Sequence, residues 1–133
     1  MKNIKKICVL ALTILILANA FGMSAYAAKG IEFGSYGKAK ITGSIDFNGK
    51  KAKAKACTEI VKDKYGRNSG VCTHLSCGNY SGEKNDRIKA SVTSSAQNAS
   101  SASVYHEAMV ADKKGYCNTK WKSMTLDKNK KSY

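Results

Sequence analysis

Lys50-Lys51-x-Lys53-x-Lys55 is the most pointed chemical feature of this chain. On a strand, alternate side chains share a face, so Lys51, Lys53 and Lys55 would stand about 6.6 Å apart in one row, cations able to grip phosphates or carboxylates. A plain solvated face, or an edge strand whose lysines discourage pairing with another chain, would use the same pattern. The candidate acid–base groups are His74, His106, Glu59, Glu83 and Glu107. His106 and Glu107 are neighbours and so project to opposite faces of a strand, which keeps them from acting together on one substrate. The serines at 91, 94, 95, 100, 101 and 103 lie in no Gly-x-Ser-x-Gly elbow and read as polar strand faces. No catalytic residue is expected, and the chain reads as a binding protein rather than an enzyme.

Lysine and arginine number 23 against 9 acidic residues, for a net charge of +14. Such an excess speaks about partners more than about fold. Wall polymers, anionic lipid headgroups, extracellular nucleic acid and acidic polysaccharides all fit. Single-strand nucleic-acid binding also wants aromatic side chains among the basic ones. Tyr65, Tyr80, Tyr105, Tyr116 and Trp121 do not interleave with the lysine stripe, so a nucleic acid is not the expected partner.

Where such a partner would be met is suggested by the first 27 residues. Lys2, Lys5 and Lys6 precede an apolar run over 7–18, and Ala25-Tyr26-Ala27 supplies a small-x-small cleavage site, the layout of a secretory signal. The run is short of the roughly 20 residues that span a bilayer. The expected organisation is a cleaved signal peptide over 1–27, one β domain over 28–126 and a basic, mobile tail over 127–133. The mature chain is then secreted, extracellular or associated with the cell wall.

In that oxidising setting Cys57, Cys72, Cys77 and Cys117 read as two disulfides, for which three connectivities exist. If Lys64-Tyr65 centres a tight hairpin, Cys57 faces Cys72, which leaves Cys77 to Cys117. Against this, Cys57 shares strand parity with the lysine stripe. The Cys72-to-Cys77 gap is longer than the close pair of a zinc module, so neither metal nor cofactor is expected.

The elements that must position these residues are strands. Period-2 alternation dominates, as in Lys51-Ala52-Lys53-Ala54-Lys55-Ala56 and Ala102-Ser103-Val104-Tyr105-His106, and there is no proline. Turn signals fall at Phe47-Asn48-Gly49-Lys50, Asp63-Lys64-Tyr65-Gly66, Ser94-Ser95-Ala96-Gln97-Asn98 and Asp112-Lys113-Lys114-Gly115. Strands are predicted over 38–47, 52–62, 70–75, 87–94, 101–111 and 115–126. Val-x-Asp-Lys-x-Gly recurs at Val61 and Val110, so each half reads as a three-stranded meander, with 72–86 as a long connection. Large aliphatic residues are sparse, and staples are expected to compensate. The predicted fold is all-β: a disulfide-stapled β-sandwich of two three-stranded antiparallel meanders.

Gly49-Lys50-Lys51 with the alternating alanines after it, Tyr65-Gly66-Arg67, Ala90-Ser91-Val92 and Ala102-Ser103-Val104-Tyr105 together resemble the spacing of the lactococcin 972 family of secreted bacteriocins, over residues 44–109. The resemblance implies an exported sandwich of two three-stranded sheets that interferes with wall synthesis by binding lipid II. The chain departs from that pattern in its four cysteines, the segment 72–86 and the stretch through Trp121. The expected function is that of a bacteriocin-like antibacterial protein whose face with Lys50, Lys51, Lys53 and Lys55 meets a lipid-linked wall precursor or an anionic wall polymer. An adhesin or inhibitor is the alternative, and a small basic hydrolase the second.

Overall fold

The computed structural model describes residues 30–133, so the expected signal peptide of 1–27 lies outside the described residues. The described chain is all strand and loop: β1 (Ile31–Glu32), β2 (Gly37–Asn48), β3 (Lys51–Asp63), β4 (Gly70–Cys77), β5 (Tyr80–Asp86), β6 (Lys89–Thr93), β7 (Gln97–Asn98), β8 (Ser101–Ala111) and β9 (Cys117–Asp127). They form two antiparallel sheets. The first runs β1-β2-β3-β6 with β7 also on β3, and the second runs β5-β4-β8-β9.

Alternation sets the layers. Along β3, Ala52, Ala54, Ala56 and Thr58 are buried while Lys51, Lys53 and Lys55 are exposed. In β4 it is Val71, Thr73, Leu75 and Cys77 that turn inward, and in β8 Ala102, Val104, His106, Ala108 and Val110. The inward faces of both sheets contribute to one core. Much of that core is alanine: Ala39, Ala52, Ala54, Ala56 and Ala90 from the first sheet, Ala102 and Ala108 from the second.

The division into two sequential meanders is not the one the chain adopts. β3 has β2 on one side and β6 with β7 on the other, so neither edge is left for β4. The Asp63 turn does form, with the Gly66 N–H donating to Asp63 Oδ1 at 2.9 Å. The chain then passes through Asn68 at φ 52° and crosses to the second sheet. The matching turn at Asp112 closes a true hairpin, in which Asp112 Oδ1 accepts from the N–H groups of Lys114 (2.8 Å) and Tyr116 (3.0 Å). The same turn chemistry thus ends a strand in both halves but selects different partners. The segment read as a connection contains β5, which pairs with β4 through a tight turn at Gly78, whose φ of 57° suits the first position of a type II′ turn.

All four described cysteines are free thiols. Cys57 lies between Thr42 and Ser91 in the first sheet, whereas Cys72 lies between Asn85 and Glu107 in the second. Both point outward, so the two sheets separate them. Cys77 faces Ala102 and Cys117 faces Ala111, at opposite ends of β8. That is about 30 Å at roughly 3.3 Å per residue, against a disulfide limit near 7 Å between Cα atoms. Cys57–Cys72 assumed a strand neighbour that the chain does not have, Cys77–Cys117 was only what that pairing left, and neither pair lies at disulfide distance.

Hydrogen bonds take the place of the expected staples. Thr58 Oγ1 of the first sheet lies 2.6 Å from Thr73 Oγ1 and 2.8 Å from His106 Nδ1, both of the second. His106 Nε2 lies 2.6 Å from the Tyr133 hydroxyl, and Thr73 Oγ1 donates to the Ala90 carbonyl at 2.9 Å. With His106 as its Nδ1–H tautomer the bonds run from Tyr133 O–H to Nε2, from Nδ1–H to Thr58, from Thr58 O–H to Thr73 and from Thr73 O–H to Ala90. Thr58 also lies 3.1 Å from the Cys72 carbonyl. Among the described residues no buried side-chain polar atom lacks a partner.

Tyr133 reaches this chain because residues 127–133 turn back onto β2. Asp127 Oδ1 accepts from the N–H groups of Asn129 (2.7 Å) and Lys130 (2.8 Å) and turns the chain back. The segment then pairs with β2, with Gly43 and Tyr133 exchanging backbone hydrogen bonds of 3.2 and 3.1 Å. Gly43 is required there, since a Cβ at that position would stand 2.5 Å from Tyr133 Cζ.

Burial holds His106 neutral, its pKa pulled down to about 4 from an ordinary 6.5. The unfolded chain therefore binds a proton that the folded chain refuses once the pH falls below 6.5. Stability from this group is full above that pH and is lost on acidification, by about 2 kcal/mol at pH 5 and about 3 kcal/mol at pH 4. Urea unfolding of the wild type across this range should show the slope, and His106→Leu should flatten it between pH 7 and 5. Thiol titration of chain from Ala28 in denaturant without reductant should count Cys57, Cys72, Cys77 and Cys117 as free, with Cys77 silent until unfolding.

Candidate functional site

The outer face of the first sheet is a polar grid built on β3. Register places Lys53 beside Asp46, Lys55 between Ser44 and Thr93, Cys57 between Thr42 and Ser91, and Glu59 between Lys40 and Lys89. The predicted row of Lys51, Lys53 and Lys55 is therefore present, each exposed. Lys50 is not part of it, because with Gly49 it makes the β2–β3 turn. The row runs along the middle of a sheet, not along an edge. Discouragement of strand addition is thus not its role, for β6 and β7 already occupy that side of β3.

Two lysines that sequence reasoning missed, Lys40 and Lys89, complete the arrangement. With Lys55 they line a cavity of about 240 Å³ floored by Cys57, Thr42 and Ser91 and bordered by Glu59. This is below the roughly 300–1,000 Å³ of pockets that enclose whole small ligands, so it suits one charged group of a larger partner. Lys89 pairs with Glu59 at 3.2 Å, which holds the lysine above its usual range through the hydrogen bond and the opposite charge. Lys40 and Lys55 enter neither of the ion pairs found among the described residues, the other being Lys38 with Glu32 at 2.9 Å. Only the register could have exposed this set, because Lys40, Lys55 and Lys89 come from three strands.

The acid–base candidates do not gather. His106 is fully buried, while His74 points outward with Nε2 3.0 Å from Ser81 Oγ. The two histidines thus face opposite sides of the second sheet. Glu59 belongs to the lysine face, whereas Glu83 and Glu107 lie on the outer face of the other sheet. Cys72 sits there as well, its thiol pushed up by burial and then by the carboxylates of Glu83 and Glu107. No group of three or more potential metal ligands occurs among the described residues.

Comparison with protein families, curated proteins and solved structures finds no match to this chain.

The two outward thiols sit in opposite electrostatic settings. A dianionic disulfide reagent should therefore outpace a neutral alkylating agent at Cys57 relative to Cys72. That preference should shrink as salt shortens the Debye length from about 10 Å at 0.1 M to about 3 Å at 1 M. Peptide mapping after brief labelling at both salt concentrations measures it.

Proposed function

We propose that this chain is an exported, non-enzymatic binding protein that uses its lysine face to grip the phosphate or carboxylate groups of a cell-envelope component. The observation that carries the reading is the placement of Lys51, Lys53 and Lys55 on a strand paired along both sides, with Lys40 and Lys89 beside them. In this reading the two sheets are the layers of a β-sandwich, which acts as a rigid mount. The partner is a lipid-linked wall precursor or an anionic wall polymer, met outside the cell, and the consequence for the target is sequestration, as in a wall-directed antibacterial protein. Disulfides are not part of the mount.

Juxtamembrane basic residues contribute about 1 kcal/mol each near an anionic surface, so neutralising three should weaken binding about a hundred-fold. Chain from Ala28 should co-sediment with vesicles carrying a lipid-linked pyrophosphate at physiological salt, and Lys51→Gln/Lys53→Gln/Lys55→Gln should not. The same pair spotted on lawns of Gram-positive bacteria should give clearing and no clearing. Equal sedimentation of both proteins would remove the lysine face as the site. Sedimentation without clearing would favour an adhesive or inhibitory role over an antibacterial one.

A further inference from the structure

The outer face of the second sheet is chemically unlike the rest of the surface. Although the chain has 23 lysines and arginines, none occupies an outward position on β4, β5, β8 or β9. Lys84 takes the other parity of β5. Lys120 and Lys122 take the other parity of β9, and their ammonium groups end on the carbonyls of Glu32 (2.7 Å) and Gly30 (2.8 Å). What the face does carry is Glu107 between Cys72 and Trp121 and, one row along, Tyr105 between His74 and Ser123.

Trp121 is 60% exposed. Its ring is stacked against Tyr105, with centroids 5.8 Å apart and planes at 26°. Tyr105 is itself fixed, because its hydroxyl donates to Glu107 Oε2 at 2.8 Å. That bond, with burial adding to it, holds the phenol above its usual range and keeps it protonated. One face of the indole is therefore braced and the other is offered to solvent, beside a carboxylate that already orients the brace. Farther across the sheet Glu83 supplies a second carboxylate, ordered by the Asn85 side-chain amide at 3.0 Å. A flat apolar plate beside one carboxylate, with a second about three strands across and no lysine or arginine in an outward strand position, has a definite complement: a chain of rings with apolar faces and hydroxyl donors around their edges.

We propose that this face is a second binding site, separate from the lysine face, that takes an uncharged pyranose oligosaccharide by stacking one sugar ring on Trp121, its hydroxyls donating to Glu107, while a ring farther along the oligosaccharide donates to Glu83. The absence of lysine and arginine disfavours acidic glycans and nucleic acids, whose charges would meet carboxylates with nothing to offset them. The lysine face of a second copy would match the charge but offers the indole no flat apolar partner.

Trp121 is the sole tryptophan, so intrinsic emission reads this site alone. Chain from Ala28 titrated with the N-acetylglucosamine tetramer and with cellotetraose should show a saturable change in emission with at least one of them. Calorimetry with the same sugar should find binding weakened about ten-fold or more in Trp121→Ala, the scale of one aromatic contact, and partly kept in Trp121→Phe. Lys51→Gln/Lys53→Gln/Lys55→Gln should bind the sugar as the wild type does, which separates this site from the lysine face. An unchanged urea midpoint would show that Trp121→Ala is folded. No emission change and no heat with either sugar would overturn the proposal, as would binding undiminished in a folded Trp121→Ala. Emission that shifts with protein concentration alone, alongside a rising sedimentation coefficient, would assign the face to self-association instead.

Discussion

Tyr133, His106, Thr58 and Thr73 form one chain of hydrogen bonds through a core otherwise built mainly of alanine, valine, leucine and isoleucine, with Phe33 and Cys77. Each member is buried and bonded to the next, so removing one leaves a buried polar group short of a partner. That penalty, about 1–3 kcal/mol for a neutral group, exceeds the net gain of an ordinary hydrogen bond. Apolar contacts between the alanine-rich face of β3 and the second sheet tolerate sliding, whereas these bonds do not. The chain therefore fixes the register of one sheet on the other, and it fixes the tail, because the Tyr133 ring stands edge-on to His106 at 5.6 Å between centroids.

The small side chains and the buried chain belong together. Seven alanines let two backbones approach closely, and close approach is what brings Thr58 Oγ1 within reach of Thr73 and His106 across the layer. Larger side chains on β3 would bury more apolar area and break the bridge. A core sparse in large aliphatic residues suggested covalent staples, on the ground that a small domain buries too little surface. The compensation is instead polar and internal, and the sequence carried its parts in plain view as Thr58, Thr73, His106 and Tyr133. Nothing in their spacing announced that they meet.

What was legible in the residues was local. Alternation located β2, β3, β4, β6, β8 and β9 but not β1, β5 or β7, the Asp63 and Asp112 turns sit where Asp-x-x-Gly placed them, and Lys51, Lys53 and Lys55 share one face because side-chain parity is a property of a single strand. What failed was pairing between strands. Whether β4 returns beside β3 depends on whether that edge is free, and it is taken by β6, more than two dozen residues later in the chain. The cysteine pairing, the meanders and the reading of 72–86 as a connection all fell with that one assumption. Lys40 and Lys89 were invisible for the same reason, since only non-local register brings them to Lys55.

Both outward faces rest on strands whose inward residues belong to the buried chain. On β3, Thr58 points in between Cys57 and Glu59, which border the cavity of the lysine face. On β4, Thr73 points in between Cys72 and His74, and on β8 His106 lies between Tyr105 and Glu107, the brace and the acceptor beside Trp121. Backbone pleat allows no independent adjustment of neighbouring residues, so seating His106 on Thr58 and Tyr133 sets where Tyr105 and Glu107 stand. The interior that holds the sheets in register thus also orients two surfaces of opposite character on opposite sides of the molecule. A small ligand cannot touch both. A polymeric or membrane-borne target presenting anionic and sugar groups could be held by two copies through different faces, and the rigidity that makes this geometry reproducible comes from the buried chain of hydrogen bonds.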